Sequence, residues 1–230
     1  MLAELQATIA ALRDKPVTVR LLDVGGDKPL TFLPLPLETN PSLGVRGIRL
    51  LLQHPPLLRT QLSALVRLAQ TQTVRVLVPM VTLEDDVAAA RRAFDETCQA
   101  LGAAKRPPFG AMIETPAAAL AVPAIARHVD FLCVGTNDLT QYTFAAGRDD
   151  PNVNQYFQDA HAALLRLLAI VVADAGDLPL TLCGELAGRA ELLPRLLAIG
   201  FRSLSVAPPL IPGLKDQIRT LRLDGDGRRR

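Results

Sequence analysis

The sequence contains no tryptophan and only two tyrosines in 230 residues. Proteins that read single-stranded nucleic acid stack bases on aromatic rings, so that class is set aside. An excess of charge of one sign is also missing, since the formal net charge is +2. The one basic cluster, Arg228-Arg229-Arg230, reads as part of a disordered tail over residues 223–230 rather than as a polyanion site. Cysteine is scarce. Cys98, Cys133 and Cys183 are far apart, odd in number and outside any C-x-x-C pair, which argues against a disulfide framework and a zinc site. No signal peptide opens the chain: residues 1–13 read as an amphipathic helix with Leu2, Leu5, Ile9 and Leu12 on one stripe. Long apolar runs are lacking as well, residues 117–125 being too short and proline-interrupted to span a bilayer. The expectation is a soluble cytoplasmic protein with neither nucleic acid nor membrane as partner.

Hydrophobic residues make up 49% of the chain, mostly Leu, Ala and Val, which is enough for a sizeable core. Short apolar runs at residues 17–22, 43–47 (the weakest), 74–78, 110–113, 131–135, 180–183 and 203–205 read as strands. Helical patterns fall between them at 46–54, 57–70, 83–101, 115–127, 154–175, 188–199 and 212–221. Continuous apolar strands alternating with helices point to a parallel sheet covered on both faces. Seven such units predict an α/β fold of the (β/α)8 TIM-barrel type, one strand short of the usual eight. No composition break interrupts residues 14–222, so one domain is expected over residues 1–222, with residues 29–41 as a long loop after the first strand.

In a parallel barrel, chemistry gathers where strands end and helices begin. Those ends carry Arg20 before Asp23-Val24-Gly25-Gly26-Asp27-Lys28, then Asn40, Arg46 and Arg49, then Glu114, then Asn137 and Asp138 with Arg148 downstream, and finally Cys183-Gly184-Glu185. Glu114 and Asp138 lie one βα unit apart. Two hard oxygen ligands from neighbouring strand ends suit Mg²⁺ completed by a phosphorylated substrate. Equally, Glu114 reads as a helix N-terminal acid and Asp138 as an Asx turn. Arginines on the same ends favour capture of a small anion bearing phosphate or carboxylate. Cys183, followed by glycine at a strand end, reads as a reactive thiol or acid, whereas Cys133 inside a strand reads as core. His54, His128 and His161 read as structural.

The ordered segments VRLLDVGGDKPL, NPSLGVRGIRLLLQHPPLLRTQLSALVRLA, VLVPMVTLEDDV, AMIETPAAAL, VDFLCVGTNDLTQYTFAAGRD and LCGELAG resemble the phosphoenolpyruvate-binding barrel of Enzyme I of the bacterial sugar phosphotransferase system. The wider phosphoenolpyruvate-utilising family, with pyruvate phosphate dikinase and phosphoenolpyruvate synthase, shares the GTNDLTQ-like and CGE segments. The resemblance implies that Arg20, Arg46 and Arg148 hold the phosphate and carboxylate of phosphoenolpyruvate. It implies that Glu114 and Asp138 bind Mg²⁺, that Asn137 and Asp138 line the substrate site, and that Cys183 protonates the enolate as pyruvate forms. It further implies a phosphohistidine domain or carrier protein acting in trans, and a homodimer. The family's opening strand, with an arginine in an R-T-E context, has no counterpart within residues 1–230, and Gly147 stands where the family usually has aspartate. Two readings follow: phosphoryl transfer to a histidine elsewhere with pyruvate release, or a non-catalytic binding, regulatory or dimerising module.

Overall fold

The computed structural model describes residues 5–7, 9, 12, 15–25, 33 and 35–221. Residues 5–7 and 9 are helical; most of the remainder of the expected N-terminal helix, residues 29–32 and 34 of the expected loop and the 223–230 tail lie outside the described residues. Six strands follow one another in the sheet in chain order: β1 (Val17–Arg20), β2 (Val74–Val81), β3 (Phe109–Ile113), β4 (Phe131–Gly135), β5 (Leu180–Cys183) and β6 (Leu204–Ser205). The pairs β1–β2, β4–β5 and β5–β6 are parallel. Between the strands lie α1 (Ile48–Gln53), α2 (Pro55–Ala69), α3 (Glu84–Ala100), α4 (Pro116–Leu120), α5 (Val122–Ala126), α6 (Thr136–Phe144), α7 (Ala162–Ala175), α8 (Leu193–Ile199) and α9 (Ile211–Thr220). Consecutive parallel strands joined by helices are the βα repetition of a TIM-type architecture.

The chain divides into two compact units, Met1–Met112 with Arg127–Phe131, and Ile113–Ala126 with Leu132–Arg230. In the first, β2 is buried along nearly its whole length, as a strand covered on both faces must be. Leu58, Leu62, Leu65 and Leu68 of α2, and Val87, Ala90 and Phe94 of α3, supply the apolar stripes that cover it. Phe94 and Phe109 meet with ring centroids 5.0 Å apart. The start of α3 is capped from within: the Asp86 carboxylate accepts from the backbone N–H groups of Thr82 (3.1 Å) and Leu83 (2.9 Å). In the second unit, Leu164, Leu168, Val171 and Ala175 form the buried stripe of α7, which packs on α4 and α5 through Ala118, Ala119, Val122 and Ile125.

Four expected elements differ. The expected helix over 188–199 is α-helical only from Leu193, after a 3-10 turn at Ala190–Leu192. Residues 43–47 are not a strand. Pro41–Leu43 forms a 3-10 turn, Gly47 takes φ 56°, and Arg46 makes only an isolated antiparallel bridge to Gly25. The expected helix over 115–127 breaks into α4 and α5, because Pro123 has no N–H to donate and its ring crowds the preceding turn. The expected helix over 154–175 starts only at Ala162, where His161 Nδ1 accepts from the Ala163 N–H at 3.1 Å. His161 is therefore a cap rather than a mid-helix residue. Its ring meets Phe144 edge-on at 5.4 Å.

Candidate functional site

In the first unit the polar residues after β1 are organised by one acid. Asp23 Oδ2 accepts from Arg46 Nη2 at 2.9 Å and Oδ1 from Arg46 Nε at 3.3 Å. This is the bidentate fork that fixes a guanidinium plane. The same carboxylate lies 3.5 Å from Arg20 Nη1. The Asp23 and Arg46 side chains are 1% and 5% exposed, while Arg20 is 44% exposed. Arg46 is thus locked in place, and Arg20 presents its guanidinium to solvent from the last position of β1. Two glycines make the cluster possible. A Cβ on Gly25, at φ 101°, would lie 2.2 Å from the Val45 carbonyl oxygen, and one on Gly47 would lie 2.7 Å from Met80 Cβ. Arg49 has a different job: it donates to the carbonyls of Leu43 and Gly44 (3.0 and 3.2 Å) and to Thr82 Oγ1 (3.1 Å), bracing the loop before α1.

In the second unit Glu114 follows β3 directly and is 2% exposed. It is not the cap of the next helix. Thr115 takes that role, its Oγ1 accepting from the Ala118 N–H at 3.2 Å. Asp138 stands in the first turn of α6, a helix that starts from β4 without a loop, so it is a first-turn acid favoured by the helix dipole rather than an Asx turn. Among the described residues no three His, Cys, Asp or Glu gather as a ready-made metal cage. Carboxylates are nevertheless the donors that Mg²⁺ uses when water and substrate phosphate complete its octahedron, so the chemistry of the Glu114 and Asp138 side chains is of the kind that ion takes.

The loop after β5 is fastened to the start of α6. Thr136 Oγ1 donates to the Cys183 carbonyl at 2.8 Å, and Asn137 Oδ1 accepts from the Glu185 N–H at 2.9 Å. With its carbonyl oxygen so engaged, the Asn137 side chain has its amide orientation set. Gly184, at φ 99°, passes so close that a Cβ would lie 2.3 Å from Thr136 Oγ1. Cys183 Sγ donates to the Val134 carbonyl (3.2 Å) and lies 3.4 Å from Cys133 Sγ. A cleft of about 510 Å³ opens here, lined by Asn137, Cys183, Gly184, Glu185, Arg189 and Ser205 among others. Arg189 is held by Glu191 and Asp159; the hydrogen bond to Glu191 first, and then the charge of Asp159, hold its guanidinium above its ordinary value. Arg148 sits beyond α6 with Nε 3.3 Å from Asp149 Oδ2, and its backbone N–H donates to Gln141 Oε1 at 3.2 Å. A neighbouring aspartate one position downstream thus pairs with Arg148, where Gly147 offers no carboxylate.

Residues 1–223 match the family model of the PEP-utilising enzyme, PEP-binding domain. The chain belongs to this family. The multiphosphoryl transfer protein of Rhodobacter capsulatus is 41% identical over 220 residues, 95% of this chain and 26% of that protein. The phosphoenolpyruvate-protein phosphotransferase of Mycoplasma pneumoniae is 40% identical over 193 residues, 83% of this chain and 34% of that protein. The chain therefore spans about a quarter to a third of the length of these curated relatives. The crystal structure of a citrate lyase from Burkholderia xenovorans superposes with a TM-score of 0.54 at 18% identity, covering 69% of this chain and 53% of that one, a likeness of fold alone. Among the described residues no helix is long and apolar enough to cross a membrane.

Of the residues singled out from sequence, Arg20, Glu114, Asn137, Asp138 and Cys183 stand at or just beyond strand ends, Arg46 lies in the loop before α1, and Arg148 follows α6. Three contributors were not assigned a role from sequence, Asp23, Thr136 and Gly184, and Cys133 was read only as core. The acid at Asp23 and the glycine at 184 were readable as residue types, but their partners lie 23 and about 47 positions away.

Proposed function

We propose that this chain binds phosphoenolpyruvate with Mg²⁺ and supports transfer of its phosphoryl group to a histidine on a separate domain or chain, releasing pyruvate. The match of residues 1–223 to a PEP-binding domain carries this reading, and the chemistry of the strand-end residues agrees with it. Arg20, Arg46 and Arg148 bind the phosphate and carboxylate, as planar guanidinium groups bind dianions. Asp23 fixes the plane of Arg46 in advance, so less freedom is lost on binding. Asn137 offers its amide N–H₂ to a substrate oxygen while Glu185 holds the other end of that amide. Mg²⁺ held by Glu114 and Asp138 supplies neutralisation of the phosphoryl charge when bound. As the phosphoryl group departs, the enolate carbon takes the proton of Cys183 Sγ, which has been held on the Val134 carbonyl. The relatives named for protein phosphotransfer support a protein as acceptor; a histidine as the accepting residue, a homodimer and a place in sugar uptake belong to the proposal.

The test is reconstitution. The chain, Mg²⁺ and phosphoenolpyruvate are mixed with a phosphohistidine domain and its carrier protein, and pyruvate is followed with lactate dehydrogenase. Pyruvate release that requires all components is expected. Tight phosphoenolpyruvate binding without any pyruvate would leave a ligand-binding module, and absence of binding would remove the proposal.

A further inference from the structure

Cys133 and Cys183 lie fifty positions apart, yet the register of β4 and β5 brings them together. Gly135 pairs with Cys183, so Cys133, two residues earlier, projects from the same face one step along the diagonal. Their sulphurs are 3.4 Å apart. Three kinds of thiol pair can be told apart by this geometry. A disulfide needs sulphurs at about 2.05 Å and Cα atoms usually no more than about 6.8 Å apart. Diagonal neighbours on adjacent strands are roughly 7–8 Å apart, so that bond would require the strands to shift. Two inert core thiols would both be sealed away, but Cys183 is part-exposed and lines the cleft of about 510 Å³. Two thiolates on one soft ion need a shift of only a few tenths of an ångström. With metal–sulphur bonds of about 2.3 Å, sulphurs 3.4 Å apart subtend an angle of about 95° at the ion.

We propose that Cys133 and Cys183 form a two-thiolate site for a thiophilic divalent ion of the Zn²⁺ or Cd²⁺ type, reached through the cleft and completed by water. Binding replaces two S–H bonds with two metal–sulphur bonds and releases two protons to solvent. The sequence alone argued against zinc because it shows no C-x-x-C spacing; the sheet register supplies the spacing instead. Soft thiolates select such ions over Mg²⁺, so this site and the Glu114–Asp138 pair do not compete for the same metal. On the functional reading above, an ion here also removes the proton that Cys183 would donate. The site itself does not depend on that reading.

The reduced full chain is titrated with Cd²⁺, and the thiolate-to-metal charge-transfer absorbance in the ultraviolet is followed. One ion per chain is expected. Cys133→Ser and Cys183→Ser should each roughly halve the band and weaken binding about tenfold or more, while Cys98→Ser leaves both unchanged. An undiminished band in either of the first two variants, or no saturable band in the unmodified chain, would overturn the proposal. A second measurement on the unmodified chain needs no substitution: Cd²⁺ should slow alkylation of Cys183 by iodoacetamide, read by mass spectrometry, and an unchanged rate would equally overturn it. Pyruvate assays play no part, so failure of the phosphotransfer reading leaves this result standing.

Discussion

Asp23 shows how a residue outside any reacting group can dominate its surroundings. Its carboxylate is buried against two guanidinium groups, and removing it leaves Arg46 charged and without that partner in a nearly dry environment. Breaking a buried pair in this way costs roughly 3–5 kcal/mol. Asp23→Ala should therefore lower unfolding free energy by about that amount in urea titrations; a loss below about 1 kcal/mol would mean that solvent reaches Arg46. Cys183 behaves oppositely. Cys183→Ala leaves the fastening of the loop to α6 intact, because Thr136 bonds the backbone carbonyl and Asn137 the next N–H. Phosphoenolpyruvate binding should survive in that variant and pyruvate formation should vanish. Surviving turnover would reassign the proton donor. Gly184→Ala places a Cβ on Thr136 Oγ1 at a backbone angle that side chains rarely adopt, and about 1–3 kcal/mol of destabilisation is expected by thermal denaturation.

At the scale of elements, the run of acids opening α3 does two separate things. Asp86 caps the helix, whereas Glu84 reaches His128 Nε2 (2.9 Å) and Arg127 Nη2 (3.1 Å) in the segment leading to β4. Those two hydrogen bonds, His128 first, hold the Glu84 carboxyl below its ordinary value. A depressed folded-state value means that the stabilisation is complete above the unfolded-state value, about 4.3, and is lost as pH falls through the lower folded one. The melting temperature of the unmodified chain should therefore fall more steeply with acid than that of Glu84→Gln, and equal slopes would discount the contact. The alternation of βα elements was legible because buried parallel strands read as short apolar runs. Helix α6 was not, since its inward residues are Thr136, Leu139 and Thr140, two of them polar. The break at Pro123 was readable in principle, and the turn at residues 43–47 was misread because Leu43 and Val45 flank a glycine. Strand-end residues of the site were legible one at a time; the pairs were not, because the loop that returns residues 43–47 to the end of β1 brings Arg46 to Asp23, and the register of β4 and β5 brings Cys133 to Cys183.

At the scale of the whole molecule, a ligand that binds only the folded chain stabilises it by mass action. Phosphoenolpyruvate at about a hundred times its dissociation constant would add about 2.7 kcal/mol. For a chain of this length that corresponds to a rise in melting temperature of roughly 5–10 °C. Differential scanning fluorimetry with phosphoenolpyruvate and Mg²⁺ should show this rise, and omission of Mg²⁺ or substitution of Glu114 by Gln should reduce it. An equal rise without Mg²⁺ would detach the two carboxylates from any metal role while leaving the arginines in place.

Met80 carries a positive φ of 56° although it is no glycine and lies inside β2, with its Cβ close to where one on Gly47 would stand. The missing Cβ of Gly47 leaves the space that the Met80 side chain occupies, so the effects of the two positions should not be additive. Gly47→Ala alone forces two β-carbons into one space. Combined with Met80→Gly, which relieves both the crowding and the left-handed backbone, the alanine should cost measurably less. A chain that drifts in sequence then meets a lower barrier when residue 80 changes before residue 47.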